Sequence, residues 1–156
     1  MAGNSRSSET DIDRARGSST AVSSTGRRLL TFVTAAGLAV DAYVHWHLAP
    51  NFDTLTSVSS PHISQGMLFR IEAVLALAAM VLVLVTRHRF AAAFAFLVAA
   101  GGVGAVLLYA FVQVGALGPL PDMYDPTWTA EKTISLVAEA VAAGGALWLF
   151  LLPRDS

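Results

Sequence analysis

Cysteine is absent from the 156-residue chain, which excludes disulfides, CxxC redox chemistry and thiolate metal sites. Charge is scarce as well: 13% of the residues are charged, against about 25% in an ordinary soluble domain. Lysine occurs once, at Lys132, beside nine arginines, and the formal net charge is −1. No long basic run is present, so nothing points to a nucleic-acid partner. Walker, nucleophile-elbow and HExxH sequences are lacking too, which leaves hydrolase and ATPase chemistries without a signature. There is no internal repeat and no stretch that reads as a separate soluble domain.

What is present is apolar. Hydrophobic residues make up 54% of the chain, and the mean hydropathy is +0.58. They gather in four runs, at about residues 29–48, 66–86, 90–114 and 129–152. Each has the length of about 20 residues that crosses a hydrocarbon core. Residues 1–26 are different in kind, rich in Ser, Thr and Gly with mixed charges from Arg6 to Arg16. Such a segment buries too little surface to offset its ordering entropy, and it reads as a disordered cytoplasmic tail. Arg27 and Arg28 before Leu29 resemble a twin-arginine export signal, but the run is long and no A-x-A site ends it. It reads as a span.

The punctuation agrees. Ser60-Pro61 and Asp125-Pro126 each pair a capping side chain with a proline suited to the first helical position. His62 then falls in an interfacial loop. Arg87-His88-Arg89 is a tight basic turn that makes the second and third spans an antiparallel hairpin. Gly115, Gly118, Pro119 and Pro121 break the chain before the fourth span, and Pro153 ends it. The expected fold is all-α: an integral membrane four-helix bundle, up-down-up-down, over residues 27–153.

With the N-terminus inside, eight arginines lie on the inner side, against Arg70 and Lys132 on the outer side. That asymmetry predicts cytoplasmic N- and C-termini. The excess of Arg over Lys, with abundant Ala, Val and Gly, suggests a GC-rich bacterial genome and hence the bacterial plasma membrane. The expected partners are the lipid bilayer and, within it, a second copy or another membrane protein. Tyr43, Trp46, Tyr124 and Trp128 suit the interfacial aromatic belt.

Against this background the ionisable residues stand out. Counted from the inner arginines at 1.5 Å per residue, Asp41 lies roughly 20 Å up the first span, and Glu72 and Glu139 lie roughly 22 Å up theirs. Three carboxylates on three spans share one layer in the outer half, and His45 sits one turn beyond Asp41. Thr34, Gly37, Asp41 and His45 follow the spacing of one helix face, as do Lys132, Ser135, Glu139, Ala142 and Ala146. Ala76, Ala79 and Val83 continue the face of Glu72. Arg70 cannot share that face and is expected to snorkel to the outer headgroups. Asp41, His45, Glu72, Glu139 and Lys132 therefore form the expected polar layer, as a ligand, proton or ion site or as mutual glue. His45, His47 and Asp41 offer ligands for a divalent metal, although two histidines two residues apart share an ion only if the helix has ended there. Gly101, Gly104, Gly144 and Gly145 are the small residues expected at close helix crossings.

Glu72, the apolar stretch Ala73 to Val85, Arg87 and the Ala-rich Phe90 to Ala100 resemble the DoxX-like group of small four-helix bacterial membrane proteins. That resemblance implies an accessory membrane subunit, sometimes linked to quinone-dependent oxidoreductases. Two functional classes follow. One is a non-enzymatic accessory or binding protein whose outer polar pocket holds a small ligand, a proton or a lipid headgroup. The other is a redox or metal-assisted membrane enzyme subunit that uses a quinone or a divalent metal.

Overall fold

The structure is a computed structural model and describes residues 24–153. The chain forms α1 (Ser24–Leu48), a 3₁₀ turn (Ala49–Phe52), β1 (Thr56–Ser57), β2 (Ser60–Ser64), α2 (Gln65–Val85), α3 (Arg89–Phe111) and α4 (Ala130–Leu151). The fold is all-α, with four helices each long and apolar enough to cross a membrane. Most of the expected tail lies outside the described residues; Ser24 to Gly26 already belong to α1. At the far end of α1, Pro50, which has no N–H to donate, sits in the 3₁₀ turn that closes the helix.

The starts of two helices differ from the sequence reading. Ser60-Pro61 does not open α2: both residues lie in β2, which pairs antiparallel with β1. The cap is Ser64, whose Oγ accepts from the Met67 N–H at 3.0 Å. Likewise Asp125-Pro126 does not open α4; Thr129 does, accepting from the Lys132 N–H at 3.2 Å. In both cases the earlier residues are committed to the loop. Ser64 pairs with Thr56 and Gln65 donates to the Leu55 carbonyl, while Asp125 donates to the Tyr109 carbonyl. Helix α3 ends at Phe111, not at 114, because Val112 turns extended and Gly115 takes a positive φ.

Packing is inside-out relative to a water-soluble bundle. Buried apolar residues are mostly alanine (Ala73, Ala76, Ala79, Ala95, Ala99, Ala142 and Ala146 among them), with Leu38 the one large aliphatic fully enclosed among the described residues. Leu, Val, Ile and Phe point outward, as at Phe32, Val74, Leu97 and Val137. A lipid-facing surface needs this arrangement, since small residues inside let helix backbones approach. Helix α1 packs on α2 and α4, and α3 packs on α4 and, less extensively, on α2.

The start of α1, the end of α2, the start of α3 and the end of α4 gather around one cavity. At the opposite end the two long loops are laced together. Ser57 and Ser59 both donate to the carbonyl of Gly118, at 3.2 and 2.5 Å. Gly118 itself needs its positive φ to turn the Leu117–Leu120 bridge.

Candidate functional site

The spacing of α1 delivers Thr34, Gly37, Leu38, Asp41 and Ala42 to the interior, and that of α4 delivers Ser135, Ala138, Glu139 and Ala142. The two faces meet closely. A methyl group on Gly37 would stand 2.7 Å from the Ala138 carbonyl oxygen, so the crossing tolerates only glycine there. One turn beyond Gly37, Asp41 meets Glu139, both 0% exposed, at the same Ser135 hydroxyl, which lies 3.2 Å from each carboxylate.

His45 completes the cluster. One turn beyond Asp41, its Nδ1 lies 2.8 Å from Asp41 Oδ1 and 3.1 Å from the Asp41 carbonyl oxygen. The carbonyl can only accept, and so can the Asp41 carboxylate when ionised; with Asp41 ionised, Nδ1 carries the hydrogen. The imidazole is held on its other side by Phe69, edge to face at 5.1 Å, and Phe69 packs in turn on Phe52. One ligand atom each from Asp41, His45 and Glu139 falls within 4.8 Å of the others. Glu72, from α2, is a half-buried neighbour close enough to feel the charges of Asp41 and His45. The floor under Glu139 is α3: a methyl group on Gly102 would stand 2.6 Å from Glu139 Oε1. All four helices thus contribute.

The hydrogen bonding does not close. Ser135 has one hydrogen to donate and two carboxylate oxygens in reach. Asp41 Oδ2, Glu72 Oε1 and Glu139 Oε2 are buried with no hydrogen-bond partner among the described residues. Such oxygens are costly unless they are protonated or bound to a cation.

The structure separates other residues that the sequence grouped with these. Lys132 is not in the layer: its Nζ turns outward to Asp125 Oδ2 and to the Asp125 and Thr127 carbonyls, each at 2.7 Å. Its four-carbon stem reaches the loop more readily than the bundle interior. The ammonium beside Asp125 holds that carboxyl below the usual aspartate range. His47 is exposed and stacks on Tyr43 at 5.7 Å, on a different face from His45, because α1 is still helical there. It is no partner for His45 and Asp41 in a metal site; Glu139 takes that place. Arg70 does not reach away to headgroups but holds Asp53 with two hydrogen bonds, at 2.6 and 2.8 Å. That guanidinium keeps Asp53 below its ordinary range.

The expected packing glycines also divide. Gly101, Gly104 and Gly144 face open space, and only Gly145 lies at a crossing, against Thr34. Gly37 and Gly102 do the close packing instead. Ser135 was legible only as a member of the Glu139 stripe, and Gly102 had no signal beyond being small. Compared with family models, curated proteins and solved structures, the chain matches none.

Proposed function

We propose that this is a small multi-pass membrane protein of the accessory or binding kind, its helices running up-down-up-down, whose buried cluster holds a cation, in the simplest case a proton. The observation that carries this is the set of three buried carboxylate oxygens without donors around a single histidine. Three ionised carboxylates against at most one imidazolium would leave a net charge of −2 within the membrane. One charge at mid-bilayer already costs about 2.5–3.5 kcal/mol on insertion scales. Protons or a metal ion must cancel most of that charge. Because Asp41 and Glu139 are fully buried, the site suits an ion better than a molecule. The Ser135 hydroxyl, between two carboxylates, is placed to pass its hydrogen bond from one to the other as a proton moves between them.

A divalent metal is the second reading, favoured by the three-ligand set of Asp41, His45 and Glu139. It is the weaker of the two, since the nitrogen that faces the carboxylates already has hydrogen-bond geometry to Asp41, and a metal would displace that hydrogen. A DoxX-like accessory subunit remains compatible with either reading.

Infrared spectra of the protein in lipid nanodiscs, with elemental analysis of the same sample, test this. The expected result at neutral pH is the carbonyl stretch of a protonated carboxyl, weakened in Glu139→Gln, and no stoichiometric metal. A bound divalent metal that disappears in His45→Ala would replace the proton by the metal. Fully ionised carboxylates in a metal-free protein would sink both.

A further inference from the structure

The described residues contain six Arg and Lys side chains, and they are treated differently at the two ends of the bundle. At one end Arg70 and Lys132 are each paired with an aspartate, Asp53 and Asp125. At the other, Arg27, Arg28, Arg87 and Arg89 line one cavity of about 840 Å³, and none of them is in an ion pair among the described residues. That volume is within the range of about 300–1,000 Å³ typical of small-ligand sites. No acidic side chain lines the cavity among the described residues. Of its hydroxyl residues Ser24, Thr31 and Thr86, the last two donate to the Arg27 and Leu82 carbonyls, which leaves the arginines as the donors for a ligand.

The four arginines are not equivalent. Arg27 donates to the Pro153 carbonyl at 2.6 Å, which ties the start of α1 to the end of α4. The Arg89 guanidinium lies over the Phe150 ring at 4.6 Å. Those two contacts fix the walls. Among the described residues Arg28 and Arg87 have no such contact, and theirs are the two guanidinium groups left to engage something else. Two helix N-termini and two C-termini meet here, so their dipoles largely cancel, and the guanidinium groups decide the sign of the site.

We propose that this cavity binds a phosphate group, carried by an anionic phospholipid headgroup or by a soluble phosphate, with Arg28 and Arg87 as its principal ligands. Guanidinium matches phosphate oxygens in paired hydrogen bonds, and basic pockets between membrane helices are suited to anionic headgroups. The competing account is that the arginines only set the orientation of the chain, in which case they need no particular ligand. This inference is independent of the acid–histidine cluster.

The full chain, purified in detergent and stripped of lipid, is to be melted with dioleoyl phosphatidylglycerol, with dioleoyl phosphatidylcholine and with inorganic phosphate. Its bound lipid is to be counted by native mass spectrometry. Phosphatidylglycerol should raise the melting midpoint and stay bound where phosphatidylcholine does not. The Arg28→Gln/Arg87→Gln double variant should weaken that binding by about tenfold or more. Arg28→Lys/Arg87→Lys should retain part of it, and Arg70→Gln, at the other end, should leave it unchanged. A matching shift with inorganic phosphate would identify a soluble phosphate as the source; a shift with the lipid alone would identify the headgroup. If the glutamine variant does not fold, the preference of the wild-type protein between the two lipids decides. Equal responses to both lipids with none to phosphate, or undiminished binding in a folded glutamine variant, would overturn the proposal.

Discussion

Glycine positions are the sharpest residue-scale feature, because what a methyl group would meet differs at each. At Gly37 it would meet a backbone carbonyl, which cannot step aside without separating α1 from α4. At Gly102 it would meet the Glu139 carboxyl, which can swing away, though only by leaving Ser135. At Gly101, Gly104 and Gly144 it would meet nothing. Gly37→Ala should therefore cost about 1–3 kcal/mol, the usual range for overpacking. Gly102→Ala should cost less. Alanine at the three open positions should be neutral or slightly stabilising, as expected from helix propensity. Melting midpoints in detergent check the order. The cost of Gly102→Ala should also shrink when Glu139 is replaced by Ala, with a coupling above about 0.5 kcal/mol. Strict additivity would mean that the carboxyl does not rest on Gly102. Sequence could not separate Gly102 from Gly101, because α3 is apolar on every side and carries no polar residue to mark its inner face. In α1 and α4 the inner stripe was legible because Thr34, Asp41, Ser135 and Glu139 mark it.

At the scale of elements, the four helices were readable from the length of the apolar runs, but their starts were not. Ser60-Pro61 satisfies the same short-range rule as a helix start and as the opening of a short strand, since proline is tolerated at either place. Long-range pairing decides between them: Thr56 pairs with Ser64, and Ser57 and Ser59 tie this segment to Gly118. Thr56-Ser57 and Ser60-Pro61-His62-Ile63-Ser64 hold a single large aliphatic residue between them, too little for a hydrophobic alternation to betray the strands. Removing the actual caps by Ser64→Ala or Thr129→Ala should cost about 1 kcal/mol each and speed hydrogen exchange in the first turn of the helix. Ser60→Ala should do neither. The loops at this end also carry a pH dependence of definite sign. Asp53 and Asp125 have folded-state pKa values below their unfolded ones, because Arg70 and Lys132 donate to them. Their contribution is therefore present above the unfolded aspartate value and lost as pH falls through the depressed one. Acidification should speed exchange of the loop amides between residues 53 and 64 and between 115 and 129, without disturbing the alanine core. In Asp53→Asn/Asp125→Asn the loops should exchange fast at neutral pH and respond less to acid.

For the whole molecule, charge and apolarity divide along one axis. The end with the turn Arg87-His88-Arg89 holds four arginines around a cavity, while the opposite end holds the aspartates with their two paired cations. The acid–histidine cluster lies nearer the aspartate end. Asp41 is seven residues from the end of α1 and Glu139 nine from the start of α4, or about 10 and 14 Å inward. If positive charge sets orientation, the arginine end is cytoplasmic, and the cluster opens more readily to the outside. Single cysteines in this cysteine-free chain measure that directly. Exposed positions Ser59 and Asp122 should react with a membrane-impermeant maleimide added to intact cells, and the exposed His88 position only after permeabilisation. Labelling of His88→Cys in intact cells would invert the orientation and make the cytoplasm the source of the cation. Labelling of all three from one side would mean that the helices do not cross, and the outward-facing Leu and Val would need a protein partner rather than lipid. The inside-out distribution argues for lipid, because it wraps all four helices instead of forming one patch.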